Sequence, residues 1–368
     1  MNVLYVASTL ESSGPTNQLF NIISNLDRSL VCPFVLTLSP EPLARSSWPR
    51  FEELEVKMGS LGLSRLRGAF FAGSRLRKRL DDWRVDIVHT QGIRSDALSA
   101  SWVAGLPAVA TARNYPFADY PAKFGLVRGK LMAWRHVAAL KRLNVVACSN
   151  AIKGQLKLHG VDASVVQNGV DTSEFKPVDV AERKELRRRL GLPADGLVFL
   201  SVGSLIPRKD MSTAVVAYQA ARLGPNARLV ILGGGPLGEH LRSLADETVL
   251  LRGHVDNVKD YLNAADVFMS SSLAEGLPNT VLEAMASGLP CILSDIPPHR
   301  ELQVDDDAFF PCGDISALSS RLSAIADKDL TALGREARIH VEQRLSAERM
   351  AAEYQEIYRK VLEAQGGQ

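Results

Sequence analysis

The stretch LAEGLPNTVLEAMASG, residues 273–288, sets two carboxylates, Glu275 and Glu283, eight positions apart in a Gly- and Pro-punctuated setting. Paired carboxylates serve as acid and base across a glycosidic bond when their separation suits it. Pro278 fits the first turn of a helix, where its missing N–H would have no intrahelical partner. The run NTVLEAMASG then reads as helical as far as Gly288. Glu275 falls in the loop before that helix and Glu283 more than a turn inside it. At about 1.5 Å per residue, Pro278 and Glu283 are roughly 7 to 8 Å apart along the axis before the loop is added. Retaining pairs stand about 5 to 5.5 Å apart, so a direct dyad is disfavoured, while an inverting separation remains compatible with the distance.

The helix start between the two glutamates offers different chemistry. Its first N–H groups lack intrahelical acceptors, and Gly276 lets a ligand come close to the backbone, which together make an anion site. An elongated ligand with a central diphosphate fits: one polyhydroxylated ring near Glu275, phosphates at the helix start, a second ring near Glu283. A nucleoside diphosphate sugar has that form. Arg208 and Lys209, adjacent in VGSLIPRKD (202–210), are cations suited to phosphate oxygens, whose negative charge grows as a bond to the diphosphate breaks. Each motif taken alone also has a plainer reading, as two unrelated surface glutamates and a solvated Arg–Lys pair.

These residues belong to the second of two alternating patterns. In the first, NVLYVAS (2–8), PFVLTLS (33–39), VDIVHTQG (85–92), PAVATAR (107–113), NVVACS (144–149) and SVVQNG (164–169) are strand-like, separated by helix-like stretches such as QLFNIISNL (18–26). In the second, GLVFLSVGSL (196–205), ARLVILGGG (227–235), VLLRGHV (249–255), ADVFMSSS (265–272) and PCILSD (290–295) repeat the scheme. Strands alternating with helices predict parallel β-α-β units and doubly wound sheets. The polar, turn-rich NGVDTSEFKPVD marks the break. We therefore expect an α/β chain of two lobes, 1–170 and 171–345, with ligands at strand C-termini in the cleft between them. The last helix, 346–365, carries apolar Met350, Tyr354, Ile357, Tyr358 and Val361, and is expected to pack back on the first lobe.

Composition agrees with a globular pair of domains: 368 residues, 46% hydrophobic and 23% charged. The formal net charge of +2 hides an asymmetry, because residues 1–170 hold 21 Lys and Arg against 12 Asp and Glu. The basic residues gather in RLRGAFFAGSRLRKRL (65–80) and KFGLVRGKLMAWRHVAALKRL (123–143). In the latter Arg128, Arg135 and Arg142 recur every seven residues beside an apolar stripe of Leu131, Trp134 and Ala138. Such a segment suits peripheral contact with an anionic membrane surface, and equally an ordinary helix with a solvated basic face. No aromatic platform interleaves with the charges, so nucleic acid is not an expected partner. No apolar run approaches the roughly 18 to 20 residues of a membrane span. MNVLYVASTL lacks a basic lead and long apolar core, so a secretory leader is not expected and a cytoplasmic location is. The four cysteines show no CxxC spacing and read as buried reduced thiols rather than metal ligands.

Taken together, VGSLIPRKD, ILGGGP, GHVDNVKDYLNAADVFMSSSLAEGLPNTVLEAMASGLPCILSD, HREL and NGVDTSEF resemble the retaining, GT-B-fold glycosyltransferases of family 4 (glycosyl transferases group 1). The similarity covers nearly all of the second lobe, and the first matches mainly in pattern. The resemblance implies two Rossmann-like lobes facing across a cleft, the first binding acceptor and the second a nucleotide-sugar donor. It implies that Glu283 binds the ribose hydroxyls, that Glu275 contacts the donor sugar, and that Arg208 and Lys209 hold the diphosphate. Backbone groups of Gly276, Leu277, Pro278, Asn279 and Thr280 would face the sugar and phosphates, with the base near His254 and Val255. The implied activity is sugar transfer with retention, from a UDP-sugar as the commoner donor, to a glycan or lipid-linked acceptor in polysaccharide, capsule or lipopolysaccharide synthesis at the inner face of the cell membrane.

Three positions depart from the family's pattern. Ser204 stands where many relatives carry Arg, leaving Arg208 to act alone. Where many have a His at a first-lobe strand end, Arg113 and Asn114 occur in TARNYPFADYP, so Arg113 is a candidate for the sugar or phosphate, against a structural salt bridge. The glycine pair after the first strand becomes SSGPTNQ, where Gly14 and Thr16 are candidates to approach phosphate or acceptor, against a plain turn. No DxD stands where a metal-dependent transferase would need one, and Asp305, Asp306 and Asp307 read as a solvent-facing run, so neither metal nor cofactor is expected. Related two-lobed folds also serve nucleotide-sugar epimerases and phosphorylases, and a non-catalytic nucleotide-sugar-binding subunit is the alternative outside enzymes.

Overall fold

Val, Ile and Leu dominate the strands because helices cover both faces of each sheet. A computed structural model describes residues 1–42, 44–103 and 105–366. The chain divides into two units, Met1–Gly169 with Ala347–Gln368, and Val170–Ser346.

In the N-terminal unit the strands are β1 (Asn2–Ala7), β2 (Cys32–Thr37), β3 (Lys57–Ser60), β4 (Ile87–Gln91), β5 (Ala108–Ala112), β6 (Asn144–Ala147) and β7 (Ala163–Val165). They pair in parallel in the order β3-β2-β1-β4-β5-β6-β7. Alternation along β1 sends Val3 and Tyr5 to one core and Leu4 and Val6 to the other. The first core is closed by the C-terminal helix Ala347–Gly366, which contributes Met350, Tyr354 and Tyr358.

A buried polar network ties that helix to the sheet. His89 Nδ1 lies 2.6 Å from the Tyr358 hydroxyl and Nε2 2.7 Å from the Thr111 hydroxyl, which in turn lies 2.8 Å from that of Tyr354. Burial, and then the nearby Arg113 charge, push the His89 pKa down to about 3. This histidine, in the middle of β4, is a neutral structural link.

The C-terminal unit holds β8 (Val198–Val202), β9 (Arg228–Leu232), β10 (Val249–Gly253), β11 (Val267–Ser270), β12 (Cys291–Ser294) and β13 (Phe309–Phe310). Their order is β10-β9-β8-β11-β12-β13, all parallel. The chain winds outward from β8 to β10 and then reverses from β11 to β13, so the switch point lies between β8 and β11. Asp266 welds the two strands at their start, pairing with Arg187 at 2.5 Å and accepting the Val198 N–H at 2.7 Å.

Several local expectations change. Two short strands, β3 and β13, have too few apolar residues to signal themselves. The first helix begins at Gly14 rather than Gln18, with Ser13 as its N-cap. The basic segment is two helices, Pro116–Phe124 and Leu126–Leu140, broken at Gly125, whose φ of 83° few other residues adopt readily. Cys148 and Cys291 are buried, but Cys32 and Cys312 are exposed, which corrects the reading of all four as core thiols.

Candidate functional site

The loops after β8 and β11 meet at the switch point of the C-terminal unit. Their backbones are laced together: Leu273 N–H donates to the Arg208 carbonyl at 2.8 Å, and the Ser271 hydroxyl donates to the Asp210 carbonyl at 2.8 Å. Arg208 itself donates to the Ala274 carbonyl at 3.0 Å. This lacing brings together charges 66 residues apart in the chain. Lys209 Nζ sits 2.5 Å from one Glu275 oxygen, and Arg208 Nη1 3.6 Å from the other.

The Glu275 side chain is only 8% exposed, against 15% for Lys209 and 34% for Arg208. Burial raises the Glu275 pKa, but the charge and hydrogen bond of Lys209, then Arg208 and a hydrogen bond from Ser272, outweigh it and hold the pKa below the usual carboxylate value. Glu275 is thus an ionised carboxylate in a dry place, and the cluster keeps one uncompensated positive charge.

Directly after Glu275 the loop enters the helix Asn279–Ala286. Pro278 is its N-cap rather than its first residue, and it has no side-chain acceptor to offer the helix N–H groups. The Thr280 hydroxyl reaches the Val202 carbonyl at 3.5 Å, which sets the helix start against the end of β8. Leu277 and Pro278 are buried, while Gly276, Asn279 and Thr280 are half-buried. An anion at this helix start would also face the Arg208–Lys209 charge.

Glu283 is placed differently. It stands among buried Val281, Leu282, Ala284 and Met285, and burial, followed by the neighbouring charge of Glu174, pushes its pKa up to about 8. The two glutamates therefore have opposite electrostatic settings, one held charged by cations and one driven towards neutrality.

The glycines after β9 provide the remaining wall. A Cβ on Gly233 would lie 1.9 Å from the Gly203 carbonyl oxygen, and one on Gly235 would lie 2.5 Å from that of Leu205. Only glycine permits this backbone-on-backbone contact between the β8 and β9 loops. Beside it opens a depression of about 310 Å³ lined by Leu205, Gly233, Gly235, Arg242, Leu251 and Gly253, among others. His254 and Val255 follow on the next loop, with His254 exposed and its Nε2 3.8 Å from Asp256.

Other candidate residues belong to the N-terminal unit. Gly14 and Thr16 lie inside the first helix turn rather than in a loop. Thr16 is buried, and its hydroxyl donates to the Glu11 carbonyl at 2.6 Å. Arg113 follows β5, donating to Asn168 Oδ1 at 2.6 Å and to Gln91 Oε1 at 3.3 Å. Both of these acceptors are amide oxygens and not carboxylates, and its buried Nη2 has no hydrogen-bond partner among the described residues. Asp306 and Asp307 are exposed and paired with Arg300, Arg321 and Lys328. Sequence reasoning missed Ser272, Ser294 and His299, which pack behind Glu275, and Glu174 beside Glu283. All four lie in stretches that carry the family resemblance, His299 in HREL and Glu174 in NGVDTSEF, but neither their type nor their spacing signalled a role.

Comparison with known proteins gives a consistent picture. The family model described as Glycosyl transferases group 1 matches residues 196–328, and the one described as Glycosyltransferase Family 4 matches residues 13–174. A UDP-Gal:alpha-D-GlcNAc-diphosphoundecaprenol alpha-1,3-galactosyltransferase of Escherichia coli is 32% identical over 240 residues, a match that spans 60% of each chain. The O-antigen biosynthesis glycosyltransferase WclY of Escherichia coli is 25% identical over 98% of this chain and 99% of its own. Among solved structures, Anabaena Alr3699/HepE in complex with UDP superposes with a TM-score of 0.81 at 18% identity, covering 98% of this chain and 100% of its own. At that identity the likeness bears on fold.

Proposed function

The chain belongs to the family 4 glycosyltransferases and has their GT-B fold, and from that premise we propose that it moves a sugar, with retention, from a UDP-sugar to a glycan or lipid-linked acceptor in cell-surface polysaccharide synthesis. The observation that carries the reading is the Arg208–Lys209–Glu275 cluster at the switch point, beside the start of the helix Asn279–Ala286. The full-length likeness to WclY and the partial one to the galactosyltransferase support the choice of acceptor class.

In this reading the diphosphate lies at the helix start, facing Arg208 and Lys209, with backbone groups of 276–280 along the sugar and phosphates. Glu283 receives the ribose hydroxyls, and the base enters the depression near Gly253, His254 and Val255. Glu275 accepts from donor-sugar hydroxyls and holds Lys209 in place. The acceptor hydroxyl oxygen bonds the anomeric carbon from the face the diphosphate leaves, and its proton passes to a diphosphate oxygen. Charge building on that leaving group is met by two cations and the helix dipole, which supports a metal-independent step. Neither glutamate acts as a nucleophile. Arg113 is the candidate to donate to a sugar hydroxyl or phosphate through its unpartnered Nη2. Gly14 contributes backbone, while Thr16 steadies the helix start through its hydroxyl bond to the Glu11 carbonyl.

Peripheral contact with the inner face of the cell membrane belongs to the same proposal. On the helix Leu126–Leu140, Val127, Leu131 and Trp134 are 84%, 60% and 58% exposed, beside exposed Arg128, Lys130 and Arg135. No helix among the described residues is long and apolar enough to cross a membrane.

The test is a donor screen: purified protein mixed with several nucleotide diphosphate sugars, read by thermal shift and by release of nucleotide diphosphate. Binding and slow release with at least one UDP-sugar are expected. Absence of binding to all of them would sink the transferase reading.

A further inference from the structure

His299 lies on the short turn Pro297–Arg300 after β12 and is completely buried. Its Nδ1 is 2.8 Å from the Ser294 carbonyl oxygen. A carbonyl only accepts, so Nδ1 carries the proton and Nε2 presents a lone pair. That Nε2 is buried with no hydrogen-bond partner among the described residues. An unsatisfied acceptor is costly in such a place, so the ring is not there merely to fill the core.

A path of hydrogen bonds leads from it to the donor site. The Ser294 hydroxyl donates to the Ser272 carbonyl at 2.5 Å, which joins the end of β12 to the loop after β11. Ser272 then hydrogen-bonds the Glu275 carboxylate. The Ser270 hydroxyl donates to Ser272 Oγ at 3.3 Å, which leaves the Ser272 proton for Glu275. The ring is also close enough to feel the charges of Glu275 and Lys209.

We propose that neutral His299 is a positioning residue: through Ser294 and Ser272 it holds the β11 loop so that Glu275 stays against Lys209 as the nucleotide diphosphate binds and leaves. The inference rests on the transferase reading above. Lys209 and Arg208 lie in the β8 loop, which is tied to the β11 loop at Leu273 and Ser271. A shift of the β11 loop would therefore strain these ties and disturb the contact between Glu275 and Lys209. His299 touches neither substrate nor the reacting atoms in this arrangement, and it acts on turnover through geometry.

Two variants and one spectrum test this. His299→Asn keeps a donor at the δ position, whereas His299→Leu keeps bulk and removes it. Misplacement by about 1 Å costs on the order of 100-fold in rate, so His299→Leu is expected to lower kcat by about 10- to 100-fold with little change in donor KM. His299→Asn is expected to recover most of that loss. Nitrogen NMR of the wild-type imidazole is expected to show the Nδ1–H tautomer at neutral pH. Wild-type kcat in His299→Leu, a loss that His299→Asn does not recover, or an Nε2–H tautomer would each overturn the proposal. Failure of the transferase reading shows separately, as wild-type protein that binds no nucleotide diphosphate sugar, and the tautomer then decides the hydrogen-bond path by itself.

Discussion

Glu283→Gln replaces a half-buried carboxylate with a neutral side chain of the same shape, and its consequence can be worked through pH. An acid whose folded pKa is raised, here to about 8 by burial and then by Glu174, keeps a proton that the unfolded chain has released. Its contribution to stability is therefore fully present below the unfolded pKa and is lost as pH rises through the folded one. Within that window each pH unit is worth about 1.4 kcal/mol, so wild-type protein should lose roughly 4 to 5 kcal/mol from this group between about pH 4.5 and pH 8. The variant lacks the group, so its stability should fall less steeply by that slope, and above pH 8 it should be the more stable protein. Native-state hydrogen exchange of amides in the helix Asn279–Ala286, at pH 5.5, 6.5 and 7.5, reads the opening free energy of the C-terminal unit by itself. Parallel lines for wild type and variant would refute the reasoning, since they would mean that Glu283 is ionised throughout. The nucleotide effect has the opposite sign. A carboxylate that accepts two ribose hydroxyls must be ionised, so UDP affinity in wild type should rise with pH up to about 8, by as much as about tenfold per unit. The variant should bind weakly at every pH, which separates this effect from titration of the phosphates.

Lys209→Ala leaves the buried Glu275 with the Ser272 hydrogen bond and, as its remaining cation, Arg208 at 3.6 Å. Turnover should fall by about 100-fold or more while donor affinity changes less, measured as kcat and KM for the donor. A Lys209→Met/Glu275→Gln double-mutant cycle should show coupling of about 1 to 3 kcal/mol, and additive effects would dissolve the pair as a functional unit. Gly233→Ala drives a Cβ to within 1.9 Å of the Gly203 carbonyl at a φ of 135°. It should cost about 1 to 3 kcal/mol of stability and lower nucleotide affinity, read by thermal shift with and without UDP. For the membrane face, sedimentation with vesicles containing anionic lipid should be salt-sensitive and should weaken in a Leu131→Ser/Trp134→Ser variant. Absence of binding at low salt would remove that contact.

Much of the fold was legible because its signals are local. Runs such as VLYVA (3–7) and LVIL (229–232) are apolar throughout, as strands covered on both faces must be, and Gly, Pro and Asn separate them from helices. β3 escaped because Lys57–Ser60 has little apolar content, and β13 because two residues carry no periodicity. The helix start at Gly14 was missed because Ser13, the residue that caps it, sits in a run that reads as a turn. The basic segment was read as one element, although Gly125 divides it.

At the candidate site the sequence by itself determined the residue types: two carboxylates around a helix start, two adjacent cations, and glycines at strand ends. Those choices are set by side-chain chemistry and near-neighbour spacing, which a linear chain displays. Only the tertiary structure decided how they are used. It joined Glu275 to Lys209 across 66 residues and placed Ser272, Ser294 and His299 behind them. It also pushed the pKa values of the two glutamates in opposite directions, although they lie eight residues apart. Ionisation depends on burial and on charges brought near by folding, and neither is written in the order of residues.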